Sequence, residues 1–249
     1  MMILEVKNVS KRFGSLWAVR DVSLEVNKGE LRAVIGPNGA GKTTFFNMIS
    51  GFFRPNSGSI GFDGRDITNL PAHKRVGLGM ARTFQITEIF PELSVLENIR
   101  IAAETAAGFA RRFWISEAEK KKIRSHAEQI LGLVGLEAKA SRLVGELAHG
   151  DQRAAEIAMA LAARPHLLLL DEPTAGMGDQ ETYAITHLIR RLHRDHDFTI
   201  VLIEHDMRVV FNLADRITVL DQGAVLAEGT PEQIAANDAV QAAYLGQPA

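Results

Sequence analysis

The chain has 249 residues, 46% of them hydrophobic, enough to bury a full core as one large domain or two small lobes. Its 28 Lys and Arg against 30 Asp and Glu leave a formal charge of −2, which excludes the broad basic field that drives nucleic-acid binding. The absence of cysteine excludes disulfides and thiolate metal sites and suits a reducing compartment.

The opening Met-Met-Ile-Leu-Glu-Val-Lys lacks a charged region followed by an apolar one, so no secretory signal is expected. No segment approaches the ~20 apolar residues that span a bilayer, so any membrane link is expected to run through a partner. Val22, Leu24 and Val26 alternate with Ser23 and Glu25 at strand period, and Asn27-Lys28-Gly29-Glu30 turns into a second run, Leu31 to Ile35. Next comes Gly36-Pro37-Asn38-Gly39-Ala40-Gly41-Lys42-Thr43-Thr44, which fits G-x-x-x-x-G-K-[ST]. Glycines let consecutive amides turn inward around phosphate oxygens, and a helix starting near Lys42 adds its positive end. Lys42 can reach the outer phosphates and the Thr43 hydroxyl can sit on Mg²⁺, so a nucleoside triphosphate with magnesium is the expected occupant.

Thr44 to Ser50 reads as a helix ended by Gly51, and Pro55-Asn56-Ser57-Gly58 as a turn into a short strand, Ser59 to Phe62. From about Ile86 to Ala163 the pattern turns helical: Ser116-Glu117-Ala118-Glu119 is a capping box, followed by Ile123, Ala127, Ile130, Leu131 and Val134 at helical spacing. Leu167 to Leu170, closed by Asp171-Glu172-Pro173, reads as a parallel strand buried on both faces. Asp171 is a candidate magnesium ligand and Glu172 a candidate base for an attacking water. Ile185, Leu188, Ile189 and Leu192 give the next helix a buried side, Thr199 to Ile203 is another strand, and His205 follows it. Arg216 to Leu220, a turn at Asp221-Gln222-Gly223, and Ala224 to Ala227 read as a hairpin; Thr230-Pro231-Glu232-Gln233 is a second capping box. The order implies an α/β fold with a parallel sheet.

In this order the motifs resemble those of the ATP-binding subunit of an ABC transporter over nearly the whole chain. The Walker A loop is Gly36 to Thr44; Gln85, in Arg-Thr-Phe-Gln, matches the Q-loop; Leu147 to Arg153 sits at the signature; Leu167 to Glu172 matches Walker B; His205 matches the switch histidine; Phe13 lies where the family stacks a ring on adenine. The resemblance implies a P-loop NTPase (RecA-like) core with an N-terminal antiparallel β subdomain and an inserted α-helical subdomain. The core lobe would comprise residues 1–85 and 164–229, the helical lobe 86–163, and a helical tail 230–249. It implies ATP and Mg²⁺ as ligands, with Thr43, Gln85 and Asp171 on the metal, and Glu172, His205 and Gln85 in hydrolysis. Walker A and Phe13 would bind the nucleotide, together with Ala148, His149 and Gly150 of a second ATPase subunit. It also implies transmembrane permease subunits, an indirect link to a solute-binding protein outside the membrane, and a peripheral place on its cytoplasmic face.

Two departures mark this chain. The common Leu-Ser-Gly-Gly-Gln has become Leu147-Ala148-His149-Gly150-Asp151, which removes a hydroxyl bond to the γ-phosphate worth about 1.5–3 kcal/mol where present. Gly150 keeps a backbone N–H at a helix start, and Asp151 is expected as the N-cap of a helix from Arg153 to Ala163, its charge turned away from ATP. Gly178 stands where the family has an acidic or amide residue. The signature, Ala175-Gly176-Met177 and the Tyr244-Leu245-Gly246 ending together resemble the ATPases of branched-chain amino acid uptake, whose relatives handle urea and short amides. Competing readings are a soluble ABC-type clamp in DNA repair or translation and a regulatory subunit that binds without turnover. One cassette without a heptad tract argues against the first; intact Lys42, Asp171, Glu172 and His205 argue against the second.

Overall fold

The computed structural model describes residues 1–83, 89–108 and 116–245. The chain forms two compact units, Met1–Arg75 with Asp197–Ala249, and Val76–His196.

In the first unit, β1 (Met2–Phe13) pairs antiparallel with β2 (Leu16–Asn27) and with β4 (Ser57–Phe62), which pairs with β5 (Arg65–Asp66). In β2, Val22, Leu24 and Val26 are buried, as their alternation requires. β4 begins two residues earlier than expected: Ser57 pairs with Ser10 across a bulge, and Gly58 at φ +85 packs so closely that a Cβ would stand 2.4 Å from the Lys7 carbonyl oxygen. The turn residues were thus drawn into the sheet.

A second sheet in this unit sets β3 (Leu31–Ile35) between β8 (Thr199–Ile203) and β9 (Arg216–Asp221), parallel to both, with β10 (Ala224–Gly229) antiparallel to β9. Every residue of β3 and β8 is buried. Arg32 is the charged exception inside β3; its guanidinium meets Glu30 at 2.7 Å, Glu228 at 3.0 Å, the Thr218 hydroxyl at 3.0 Å and the Glu25 carbonyl at 2.9 Å. A buried charge is tolerated when paired in this way. The β9–β10 turn places Gln222 and Gly223 at φ +46 and +81, the twist a two-residue hairpin favours. Around these sheets lie α1 (Lys42–Ser50), α7 (Met207–Leu213), α8 (Pro231–Ala235) and α9 (Asp238–Leu245). The Thr230 capping box on α8, with Pro231 in the first turn, is as the sequence indicates. Arg75, at the end of α2 (Ala72–Val76), is buried and donates to the Met48, Ile49, Leu70 and Ile67 carbonyls, closing the C-terminus of α1.

Among the described residues the second unit holds the parallel pair β6 (Met80–Arg82) and β7 (Leu167–Asp171) with the α-helices α3 (Val95–Ala106), α4 (Glu117–Val134), α5 (His149–Ala162) and α6 (Asp179–His196). Capping boxes at Ser94 with Glu97 and at Ser116 with Glu119 start α3 and α4. The five apolar residues expected on α4 are its buried ones, and the four expected on α6 are buried together with Thr186 and His193. α5 departs from expectation. It starts at His149, its N-cap is Ala148 with no side-chain cap bond, and Asp151 lies inside its first turn, paired with Lys139. Asp151 is therefore not the N-cap: the helix already begins two residues before it, at His149, and its carboxylate answers a lysine instead of a backbone amide. No helix among the described residues is long and apolar enough to cross a membrane.

Candidate functional site

The first unit carries the phosphate loop between β3 and α1. Gly36 and Gly41 stand at φ +151 and +97, and a Cβ on either would lie 2.1 Å from the Leu220 oxygen or 2.3 Å from the Ala18 oxygen. The loop therefore passes between β9 and β2 with room for glycine alone. Gly41 is the N-cap of α1 and brings no side-chain acceptor, and the first turn of α1 contains no acidic residue. Neither the cap residue nor the first turn thus supplies an anion of its own to the leading amides, the arrangement that suits a phosphate. Lys42 is 8% exposed and its Nζ donates to the carbonyls of Gly36 at 2.6 Å and Pro37 at 3.0 Å, which seats the ammonium inside the loop. Ala40 is buried, Pro37 and Thr44 are half-buried, and Asn38, Gly39 and Thr43 are exposed. The residues fit a magnesium nucleotide: a cation and uncapped amides for the phosphates, and a hydroxyl at Thr43 for the ion.

Phe13 ends β1 opposite Leu16, two residues before the Ala18 that touches Gly41, so the β1–β2 hairpin tip stands beside the phosphate loop. Its ring is 45% exposed, an aromatic left out of the core. Phe53 meets it edge-on at 5.4 Å and the Lys11 ammonium stands 5.4 Å from its centroid. His205 follows β8 with its side chain 61% exposed, and the fully buried Glu204 carboxylate accepts its backbone N–H at 2.9 Å. Glu204 also accepts the Asp206 N–H at 3.3 Å, so a buried carboxylate sets the loop that presents His205. Asp206 caps α7, and its hydrogen bond from Arg208 holds its carboxyl below the usual range. On α9, burial pushes the Tyr244 phenol up to about 12, against the opposing influence of the Gly36 backbone.

The second unit carries the acidic strand end and the signature segment. Asp171 is 1% exposed at the end of β7 and accepts Arg82 Nη2 from β6 at 2.7 Å. Glu172, half-buried, is held at φ +46, a left-handed backbone costing about 1–3 kcal/mol for a residue of this kind. Ala148 and His149 are exposed at the start of α5. The Gly150 N–H, expected to be open to a ligand, donates to Glu181 Oε1 of α6 at 3.0 Å. The protein's own carboxylate thus takes the position of an anion at this helix start. Buried Arg153 of α5 reaches the carbonyls of Glu172 and Pro173, bringing the signature helix onto the acidic pair. Gln85 lies outside the described residues, as does Gly246. Sequence reasoning missed Glu204, Arg82, Arg153 and Glu181; a carboxylate closing the apolar run of β8 was the one local signal among them.

Two family models match the chain: "ABC transporter" over residues 19–175, and "Branched-chain amino acid ATP-binding cassette transporter" over residues 224–249. A high-affinity branched-chain amino acid transport ATP-binding protein, BraF of Pseudomonas aeruginosa, is 43% identical over 98% of both chains. Among solved structures, the ADP conformation of MJ1267, an ATP-binding cassette of an ABC transporter, superposes with a TM-score of 0.87 at 31% identity, covering 99% of this chain and 100% of the other. A dimeric post-hydrolysis state of the cassette MJ0796, bound to ADP and Pi, gives 0.76 at 27% identity, covering 92% and 99%.

Proposed function

The chain belongs to the ABC transporter family, and we propose that it is the ATP-hydrolysing subunit that powers import of branched-chain or other amino acids. The observation that carries this reading is the loop before α1, where uncapped amides and the enclosed Lys42 ammonium form a phosphate cradle. In the proposed reaction, Lys42 and the loop amides hold the phosphates and Phe13 stacks on the base. Bound ATP supplies the phosphoryl group, and Mg²⁺ neutralises charge on its oxygens. Thr43, Asp171 and Gln85 would hold the ion, with Asp171 shared between it and Arg82. Glu172 orients the attacking water and accepts its proton, while His205 serves as the switch histidine.

Ala148, His149 and Gly150 close over the ATP of a second ATPase subunit, and for Gly150 to do so Glu181 must release its N–H. The reading is supported by a structural likeness to a cassette solved as a dimer. Gln85 and the helical lobe, residues 86–163, would pass closure to transmembrane permease subunits. A solute-binding protein would deliver the cargo, and the subunit would lie at the cytoplasmic face of the membrane. The test is reconstitution with its permease subunits in proteoliposomes. Leucine, isoleucine or valine delivered by the binding protein is expected to stimulate ATP hydrolysis; stimulation by urea or short amides alone would replace the cargo, and none by any solute would overturn the coupling.

A further inference from the structure

Glu172 combines two unfavourable backbone demands. Its φ of +46 is disfavoured for any residue with a Cβ, and it precedes Pro173, whose ring disfavours helical angles in the residue before it. Such a conformation persists where surrounding contacts over-determine it. Arg153 supplies those contacts: Nη2 donates to the Glu172 carbonyl at 2.8 Å and Nε to the Pro173 carbonyl at 3.1 Å. The guanidinium fork therefore spans the peptide bond of a residue that has no N–H to contribute. The Ala175 N–H adds a bond to the Glu172 carbonyl at 3.2 Å. At its other end the fork is anchored by Glu156, one turn along α5, at 2.5 Å, both side chains being 8% exposed.

We propose that Arg153 is a positioning residue for ATP hydrolysis: it locks the backbone of Glu172 and so aims its carboxylate. The proposal rests on the reading of Glu172 as the base. Because Arg153 stands on α5, the aim of Glu172 answers to the helix whose first turn carries His149 and Gly150. In the dimeric arrangement that helix start meets the neighbouring subunit's ATP, so closure over one nucleotide sets the base for the other.

Deleting Arg153 alone would strand the Glu156 carboxylate, so two other variants of the full chain are informative. Arg153→Lys keeps the ion pair and loses the fork; Arg153→Met/Glu156→Leu removes both charges and leaves an apolar pair. Both are expected to keep the wild-type Kd for ATP with Mg²⁺, since neither changes a residue of the phosphate loop, while kcat falls roughly 100-fold in the Met/Leu variant and less in the lysine variant. Adding Arg153→Met/Glu156→Leu to Glu172→Gln is expected to lower turnover no further, because the arginine acts through the glutamate.

Wild-type kcat in either variant, with Glu172→Gln inactive, overturns the clamp and leaves the base reading standing. A further loss in the combined variant, or a weakened Kd, also overturns it, since the arginine would then act elsewhere. Wild-type turnover in Glu172→Gln overturns the base reading and the clamp together.

Discussion

Replacing Arg82 by leucine removes the guanidinium that meets Asp171 at 2.7 Å, where the two side chains are 8% and 2% exposed. Deleting one partner of a buried ion pair costs about 3–5 kcal/mol, because the remaining charge is left uncompensated. Unfolding a 249-residue chain carries about 2.1 cal/mol/K per residue, about 0.5 kcal/mol/K in all, so Tm is expected to fall by roughly 6–10 °C. Thermal unfolding of the nucleotide-free chain by circular dichroism measures this. Arg82→Leu/Asp171→Asn removes the stranded charge and is expected to recover about half of the loss or more. Magnesium with ATP should raise the Tm of Arg82→Leu more than that of wild type, because Asp171 then has the ion to itself. A drop under about 2 °C, or a double variant that falls by the sum of the single effects, refutes the reasoning.

Asp151→Asn loses the surface pair with Lys139 and a carboxylate in the first turn of α5, at an expected cost of about 0.5–1 kcal/mol in urea unfolding with ATPase activity unchanged; a large rise in activity would place the carboxylate against the nucleotide. Arg75→Met removes the donor shared by five carbonyls, Ile49 at the end of α1 among them, and is expected to cost about 3 kcal/mol or more, and Arg75→Lys should fail to restore it because one ammonium cannot span five acceptors. The His126 imidazole is lowered, chiefly by burial and also by Arg164, against the opposing bond to the Ala162 carbonyl. Its folded form therefore binds fewer protons than the unfolded one as pH falls through the ordinary value of 6.5, so stability declines on that side. Wild-type Tm should drop more between pH 7.5 and 5.5 than that of His126→Gln, and equal slopes would exclude this contribution.

The phosphate loop was legible because its chemistry is local: glycine spacing, the preceding strand and Lys42 fall within one short segment. β7, β8 and the apolar faces of α4 and α6 were legible for the same reason, each being a periodicity inside one element. What the sequence concealed are pairings across distance. Arg82 and Asp171 are 89 residues apart and Gly150 and Glu181 are 31 apart, and Arg82 and Glu181 read locally as solvated charges. Asp151 was misread because an acid near a helix start usually caps it, whereas here Ala148 is the N-cap and Lys139, twelve residues earlier, takes the carboxylate. Arg153 looked like an ordinary charge on an Ala-rich helix, and only the fold brings it onto Glu172. β6, at three residues, is too short for any periodicity to register.

The measurement that bears most directly on the central claim is the oligomeric state of Glu172→Gln with ATP and Mg²⁺, followed by light scattering alongside hydrolysis. Loss of turnover with conversion of the chain to an ATP-held dimer is the expected result; wild-type turnover, or a chain that stays monomeric at saturating ATP, would contradict it.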